Sequence, residues 1–247
     1  MIQILNKRSS THPNWCEDNY WVNETDEYIQ GAVLDGCSTG INSHFASTLI
    51  KYSFERSNNL VHIRRDDLNN YFDVIISRVR NDLNDVKTAL NLTELNLLST
   101  IVFFFYNKKD KSLWVKFIGD GVIYVNGNEI INDENNMPDY IAYHLNEWWP
   151  TFYSWIESRR TLNFENVENF AICSDGIHSL VNLKNPHIKK EVAINFLIID
   201  DQWKGLENGL NKKFNILTNR DEELKRSDEL YWWDIKDDLT IIKYANI

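Results

Sequence analysis

Residues 170–180 read FAICSDGIHSL. An apolar strand-like run, Phe170 to Cys173, ends in Ser174-Asp175-Gly176, and an amphipathic segment follows. Taken alone, Asp-Gly is a turn dipeptide, because Asp tolerates turn geometry and Gly supplies positive φ without steric cost. The chain, however, repeats the device. YIQGAVLDGCS (28–38) is an apolar strand pattern running into Asp35-Gly36, and SLWVKFIGDGVIYVNGNEI (112–130) is a strand through Ile118 followed by Gly119-Asp120-Gly121. The latter continues as a second strand toward an Asn-Gly hairpin signal at 126–127. Three of the nine glycines directly follow an Asp, each time behind apolar strand residues. Two further acidic pairs precede strand-like runs: Glu17-Asp18 in NWCEDNYWV and Asp237-Asp238 before LTIIKY.

Helical spacing lies between these points. Phe45, Ala46, Leu49, Ile50 and Phe54 recur at helical intervals over 43–57, and Leu68, Phe72, Ile75, Ile76, Val79, Leu83, Val86 and Leu90 over 66–90. Ile188, Val192, Ala193, Phe196 and Leu197 mark a helix over 187–198, and a looser pattern covers 205–217. Strands, two helices, strands, two helices and a last strand fit helices packed outside sheets. No internal repeat or linker breaks the chain, so a single domain over 1–247 is expected. The aromatic-rich stretch at about 128–165, with Trp148, Trp149, Tyr153 and Trp155, reads as an insertion or flap beside the site. Its aromatics are either core or a docking surface.

Composition bounds the rest. The 247 residues, 43% hydrophobic and 25% charged, suit a soluble globular protein, and nine Gly with four Pro argue against disorder. A net charge of −10 argues against nucleic-acid binding; the basic stretches HIRRDD (62–67) and NLKNPHIKK (182–190) read as solvated faces. Three cysteines (Cys16, Cys37, Cys173) at irregular spacing form no disulfide framework. The N-terminus lacks signal-peptide character, and STIVFFFY is far too short to span a membrane. A reducing cytoplasm and no membrane partner are therefore expected.

Five acidic points at strand ends pose an electrostatic problem, since gathered carboxylates repel and take up protons. A divalent cation relieves it. Mg²⁺ and Mn²⁺ are hard, prefer oxygen ligands and keep several waters, and a glycine after the Asp lets a backbone carbonyl face the ion. Two close ions can hold a hydroxide and clamp a phosphate oxygen for in-line displacement, with no side-chain nucleophile.

The order CEDN, VLDGCS, STIVFFFY…FIGDG, AICSDGI, DDLTII resembles the metal-dependent protein Ser/Thr phosphatases of the type 2C family, from about residue 10 to the end. The resemblance implies an α+β fold: a four-layer α-β-β-α sandwich of two antiparallel sheets flanked by helices. It also implies a binuclear Mn²⁺ or Mg²⁺ site at one edge, two ions with a third possible, and a phosphoprotein substrate. Asp35 matches the bridging aspartate and Gly36 its carbonyl ligand. Asp175 and Asp237 match further ligands of the first ion, so that Asp35, Asp175 and Asp237 are the candidate catalytic set. Glu17 and Asp18 match the acidic pair at the second ion, and Asp120 the residue that shares a third ion with Asp175. Cys37, Ser38, His178 and Asp238 are candidates for supporting positions beside the ligands.

Departures accompany the match. Pro13 stands where the family carries a phosphate-gripping Arg, leaving His12 or Lys7-Arg8 to substitute. Cys37 stands where many members have a His acting as general acid, GDGV lacks the Arg of the usual stretch, and Asp238 replaces an amide. Other readings stay open. Cys37 could be a nucleophile with His44 as base or a redox-sensitive thiol, and Cys173 a core thiol. Ser38-Thr39-Gly40 could contact phosphate or cap a turn, and His178 could be structural. The function classes are an active phosphatase, a catalytically weak phosphatase-like binding module, and another metallohydrolase acting on small phosphate esters.

Overall fold

A computed structural model describes residues 1–12, 14–37, 40, 43–58, 68–133, 137–200, 205–206, 208–219 and 230–246. In chain order its elements are β1 (Ile2–Lys7), β2 (Asn19–Glu24), β3 (Tyr28–Gly36), α1 (Ser43–Asn58), α2 (Leu68–Leu90), β4 (Ser99–Asn107), β5 (Ser112–Ile118), β6 (Gly121–Val125) and β7 (Asn128–Asn132). Then follow α3 (Trp149–Ser158), β8 (Thr161–Phe164), β9 (Asn169–Cys173), β10 (Leu180–Asn182), α4 (Glu191–Ile194), α5 (Gly209–Leu217), β11 (Trp233–Ile235) and β12 (Leu239–Ala245).

Two five-stranded sheets form the middle of the molecule, ordered β1-β12-β9-β6-β7 and β2-β3-β4-β5-β8, and every pairing is antiparallel. β4 shows why they stack. All nine of its residues are buried, so it reads as an uninterrupted apolar run, yet its side chains alternate between two cores. Val102, Phe104 and Tyr106 join Ile123, Phe170, Ile172 and Ile242 of the other sheet, whereas Phe103 and Phe105 join Phe54 of α1 and Phe72 and Ile75 of α2. On the far face of the first sheet, Ala171, Cys173 and Ile241 meet Ala193 and Leu197 and, from α5, Leu210 and Phe214. The result is the α-β-β-α sandwich.

The hairpin signal at 126–127 joins β6 to β7 through a two-residue turn, with positive φ at both Asn126 (49°) and Gly127 (83°). That geometry matches the twist of antiparallel strands. The helix expected from 187 starts at Glu191 and widens at Asn195–Ile199 into a π-turn, where Asp200 N–H donates to Asn195 C=O at 2.9 Å. Lys213 Nζ caps this turn by donating to the carbonyls of Phe196 and Asp200. Of the looser 205–217 pattern, the described helix covers Gly209–Leu217. The 128–165 stretch supplies the edge strands β7 and β8 and, between them, a 3₁₀ turn (Ile141–His144) and α3. Trp155 is buried there; Trp148 is 76% exposed, and Trp149 and Tyr153 are each 41% exposed.

Candidate metal centre

Strand direction alone gathers the acidic points. In the first sheet, Lys7 pairs with Leu239, and Cys173 pairs with both Ile241 and Val122. The end of β1, the start of β12, the end of β9 and the start of β6 therefore share one edge. In the second sheet, Asn19 pairs with Leu34, Gly36 with Ser99 and Ile101 with Ile118, so the start of β2 and the ends of β3 and β5 share an edge too. The Gly119-Asp120 link runs from β5 in one sheet to β6 in the other, bringing the two edges together, with Gly119 in the left-handed region at φ 79°. Each carboxylate singled out in the sequence sits at or within two residues of one of these strand ends, Asp35 inside the last two residues of β3 and the others just beyond a strand.

The glycine behind Asp175 now has a local reason. A Cβ on Gly176 would lie 1.8 Å from the carbonyl oxygen of Asp238, so only glycine lets the turn after β9 close against the start of β12. A Cβ on Gly121 would lie 2.3 Å from Val102 Cγ2, between the sheets.

The carboxylates act on one another. Asp18 and Asp175 lie close enough to Asp35 to shift its titration, while Asp120, Asp175 and Asp237 line one cleft of about 270 Å³ together with Asn132, Asp133 and His178. Burial pushes Asp18 up to about 7; polar neighbours Ser174 and Asp35 work against the rise, and the charges of Asp238 and Asp237 add to it. Burial and the neighbouring Asp18 and Asp175 hold Asp35 well above the usual carboxylate range, and burial, with Asp175 adjacent, raises Asp237. Among the described residues no three His, Cys, Asp or Glu side chains form a group already arranged to hold an ion. The donor set nevertheless fits a hard divalent cation. The gathered donors are carboxylate oxygens, and Glu17 Oε2 and Asp18 Oδ1 are buried without a hydrogen-bond partner among the described residues.

Asp238 organises the neighbourhood. Its side chain is 2% exposed; Oδ1 accepts from Ser9 N–H at 2.6 Å and Oδ2 from Glu17 N–H at 2.5 Å. Its own N–H donates to Asp237 Oδ1 at 2.8 Å. One carboxylate thus ties the β1–β2 loop, which carries Glu17 and Asp18, to the corner that carries Asp237. Three serines that the sequence reading passed over complete the frame. Ser174 Oγ donates to Asp18 Oδ2 at 2.7 Å and accepts from Thr240 N–H; Ser47 Oγ donates to Glu17 C=O; Ser179 Oγ accepts from Asp237 N–H at 3.0 Å. Ser174 alone had a visible signal, standing directly before Asp175 as the strand ends.

His12 Nδ1 lies 3.1 Å from Asp238 Oδ1, close enough for an ion pair but without hydrogen-bond alignment. Burial depresses its pKa, but Asp238, with Glu17 and Asp237, outweighs burial and raises it. Of the cations considered as replacements for the Arg, His12 lies beside the carboxylates, whereas Lys7 Nζ lies over the Phe214 ring on α5. The Cys37 thiol interacts with the Tyr140 hydroxyl, and His44 stacks on Trp15 with ring centres 5.0 Å apart. Cys173 is fully buried in the core. His178 lines the cleft and pairs with Glu129. Pro13, Ser38, Thr39 and the 62–67 stretch lie outside the described residues.

No family model matches the sequence, and no curated protein matches it. Solved structures match it in shape. A bacterial serine phosphatase superposes over 100% of this chain and 98% of its own, with TM-score 0.61 and 12% identity. The serine/threonine phosphatase Stp1 from Staphylococcus aureus covers 100% of this chain and 94% of its own, with TM-score 0.62 and 13% identity. RsbX in complex with magnesium covers 98% and 92%, with TM-score 0.52 and 15% identity. The chain has the fold of the bacterial type 2C Ser/Thr phosphatases.

Proposed function

We propose that the chain is a metal-dependent serine/threonine protein phosphatase that hydrolyses phosphoserine and phosphothreonine in proteins with Mn²⁺ or Mg²⁺. One observation carries the reading: Glu17, Asp18, Asp35, Asp120, Asp175 and Asp237 come from five separate points at strand ends of two sheets and gather at one edge. Carboxylates brought together at such Coulombic cost point to a cation as their partner.

Bound there, two divalent ions would supply a water of lowered pKa and a clamp on phosphate oxygens. Asp35, with Asp18 and Asp175 as its charged neighbours, would be the residue to bridge, with the Gly36 carbonyl following it in the chain. Asp175 and Asp237 would complete the first ion's set, Glu17 and Asp18 would serve the second, and Asp120 with Asp175 would hold a third. Asp238 and Ser174 do not bind metal in this reading. They hold Glu17 and Asp18 in place by the hydrogen bonds described above.

The pairing of His12 with Asp238 favours a second reading, a phosphatase-like binding module of low activity. The imidazole that stands in for the phosphate-gripping Arg shares its charge with a buried carboxylate.

The test is hydrolysis of p-nitrophenyl phosphate and a phosphothreonine peptide with Mn²⁺, Mg²⁺ or EDTA, beside Asp35→Asn and Asp175→Asn. Metal-dependent turnover lost in both variants is expected. Metal binding by calorimetry without turnover would favour the binding module, and absence of both would overturn the ligand assignment.

A further inference from the structure

Resting on the phosphatase reading, we propose that His178 is the proton donor to the departing alcohol oxygen and that Glu129 is its positioning residue. The position usually filled by a His beside the bridging aspartate is Cys37, whose thiol interacts with Tyr140. A serine or threonine alkoxide leaves poorly unless it is protonated, so the reaction needs a donor within the cleft.

His178 meets the geometric requirement. It sits in the 3₁₀ turn that Asp175 opens and lines the same cleft as Asp120, Asp175 and Asp237. Its Nε2 lies 2.9 Å from Glu129 Oε1 on β7. The same Glu129 oxygen accepts the Tyr124 hydroxyl from β6. Lys190 Nζ donates to the His178 carbonyl at 3.3 Å, pinning the backbone. A carboxylate on one ring nitrogen fixes a hydrogen on Nε2, leaving Nδ1 for proton transfer. Glu129 is itself kept ionised: burial works the other way, but the hydrogen bonds from Tyr124 and His178 hold its carboxyl below the usual range. The charged and titratable groups around the ring are Glu129, Tyr124, Lys190 and the cleft's Asp120, Asp133, Asp175 and Asp237.

The step balances. As the P–O bond to the substrate oxygen breaks, its electron pair stays on that oxygen and takes the Nδ1 proton. The attacking water forms the new P–O bond and loses a proton to solvent, from which His178 is recharged.

The experiment compares leaving groups. p-Nitrophenolate departs without a proton, whereas the alkoxide of a phosphothreonine peptide does not. With Mn²⁺, His178→Gln and His178→Ala are expected to lower kcat on the peptide about 100-fold. That loss should exceed the loss on p-nitrophenyl phosphate by about tenfold or more. Glu129→Gln is expected to lower the peptide kcat about tenfold with the melting temperature kept, and to shift the His178 ring ¹⁵N resonances away from the Nε2–H tautomer. Equal losses on both substrates, or none, in folded variants of an active enzyme would overturn the role of His178 alone. A wild-type protein that binds metal but turns over neither substrate would overturn the phosphatase reading and this role with it.

Discussion

Asp238 is the residue whose chemistry can be tested most sharply. A buried carboxylate offers acceptors on both oxygens, and here Ser9 N–H and Glu17 N–H use one each. Asparagine offers one oxygen, so in Asp238→Asn the amide NH₂ would face one of the two N–H groups. We expect a loss of about 2–3 kcal/mol, the cost of a broken charge-assisted bond plus an unsatisfied buried donor, read by urea denaturation; wild-type stability in that variant would refute the tie. Gly176 gives the steric counterpart. Gly176→Ala places a methyl 1.8 Å from the Asp238 carbonyl, so about 1–3 kcal/mol or more of destabilisation is expected from overpacking against backbone. Gly205→Ala, with nothing among the described residues within 4 Å of its Cβ, should stay within about 0.5 kcal/mol of wild type. Equal midpoints for the two alanine variants would sink the argument. At this scale the sequence was informative about which carboxylates the fold gathers at one edge, because each follows or precedes an apolar run. It was silent about Asp238's task, since two backbone N–H groups arriving from a loop more than 200 residues away leave no local pattern.

At the scale of elements, the segment between β7 and β8 is held by a charged clasp rather than by apolar packing alone. His144 sits between two carboxylates, Nε2 at 2.7 Å from Asp139 Oδ1 and Nδ1 at 2.8 Å from Glu147 Oε1, and its ring stacks on Trp155. Asp139 Oδ2 also accepts from Trp155 Nε1 at 2.7 Å, with Arg159 3.1 Å away. Burial would raise the Asp139 pKa, but His144, Trp155 and Arg159 outweigh it and lower the value below its ordinary 3.8. A depressed carboxylate contributes stability above its unfolded pKa and loses it as pH falls through the folded one. Asp139→Asn should therefore be less stable than wild type near pH 6, by about 1 kcal/mol or less for so exposed a pair. The gap should close as pH drops below 3.8, toward the acid end of the transition. A gap that is constant from pH 6 to pH 2.5 would mean the ionised carboxylate is not what holds the clasp. Element existence was legible where the local signal was strong: α2 as a long 3.6-residue stripe, the β6–β7 hairpin from its Asn-Gly pair. The π-turn at Asn195–Ile199 was not legible, because the Lys213 amine that caps its carbonyls comes from the next helix.

For the whole molecule, the arrangement of the carboxylates makes metal binding a question of how the two halves of the sandwich are joined. Asp18 and Asp35 belong to the β2-β3-β4-β5-β8 sheet, and Asp175 and Asp237 to the other. The sheets share the apolar layer of Phe104, Phe170 and Ile242, but at the acidic edge that layer gives way to mutually repelling groups. Ions held by ligands from both sheets would replace repulsion with attraction where apolar contact runs out, and would act as a cross-link present in the folded state alone. Such a ligand stabilises by mass action, by about 2.7 kcal/mol at a hundred times its dissociation constant. The melting temperature is therefore expected to rise with Mn²⁺, to fall back with EDTA, and to stop responding in both Asp35→Asn and Asp175→Asn. Those variants remove a repelling charge, so without metal they should melt at or above the wild-type temperature. Hydrogen exchange locates the effect: added Mn²⁺ should slow exchange at Asp18–Tyr20 and at Ile241–Lys243 together, on opposite sheets, while the β6–β7 turn, at the end of β6 away from Asp120, responds less. Protection confined to one sheet would mean that the carboxylates of the other do not reach the ion. A metal-independent melt in a protein that retains the fold would leave the acidic edge as a feature of the sandwich without a cation to explain it.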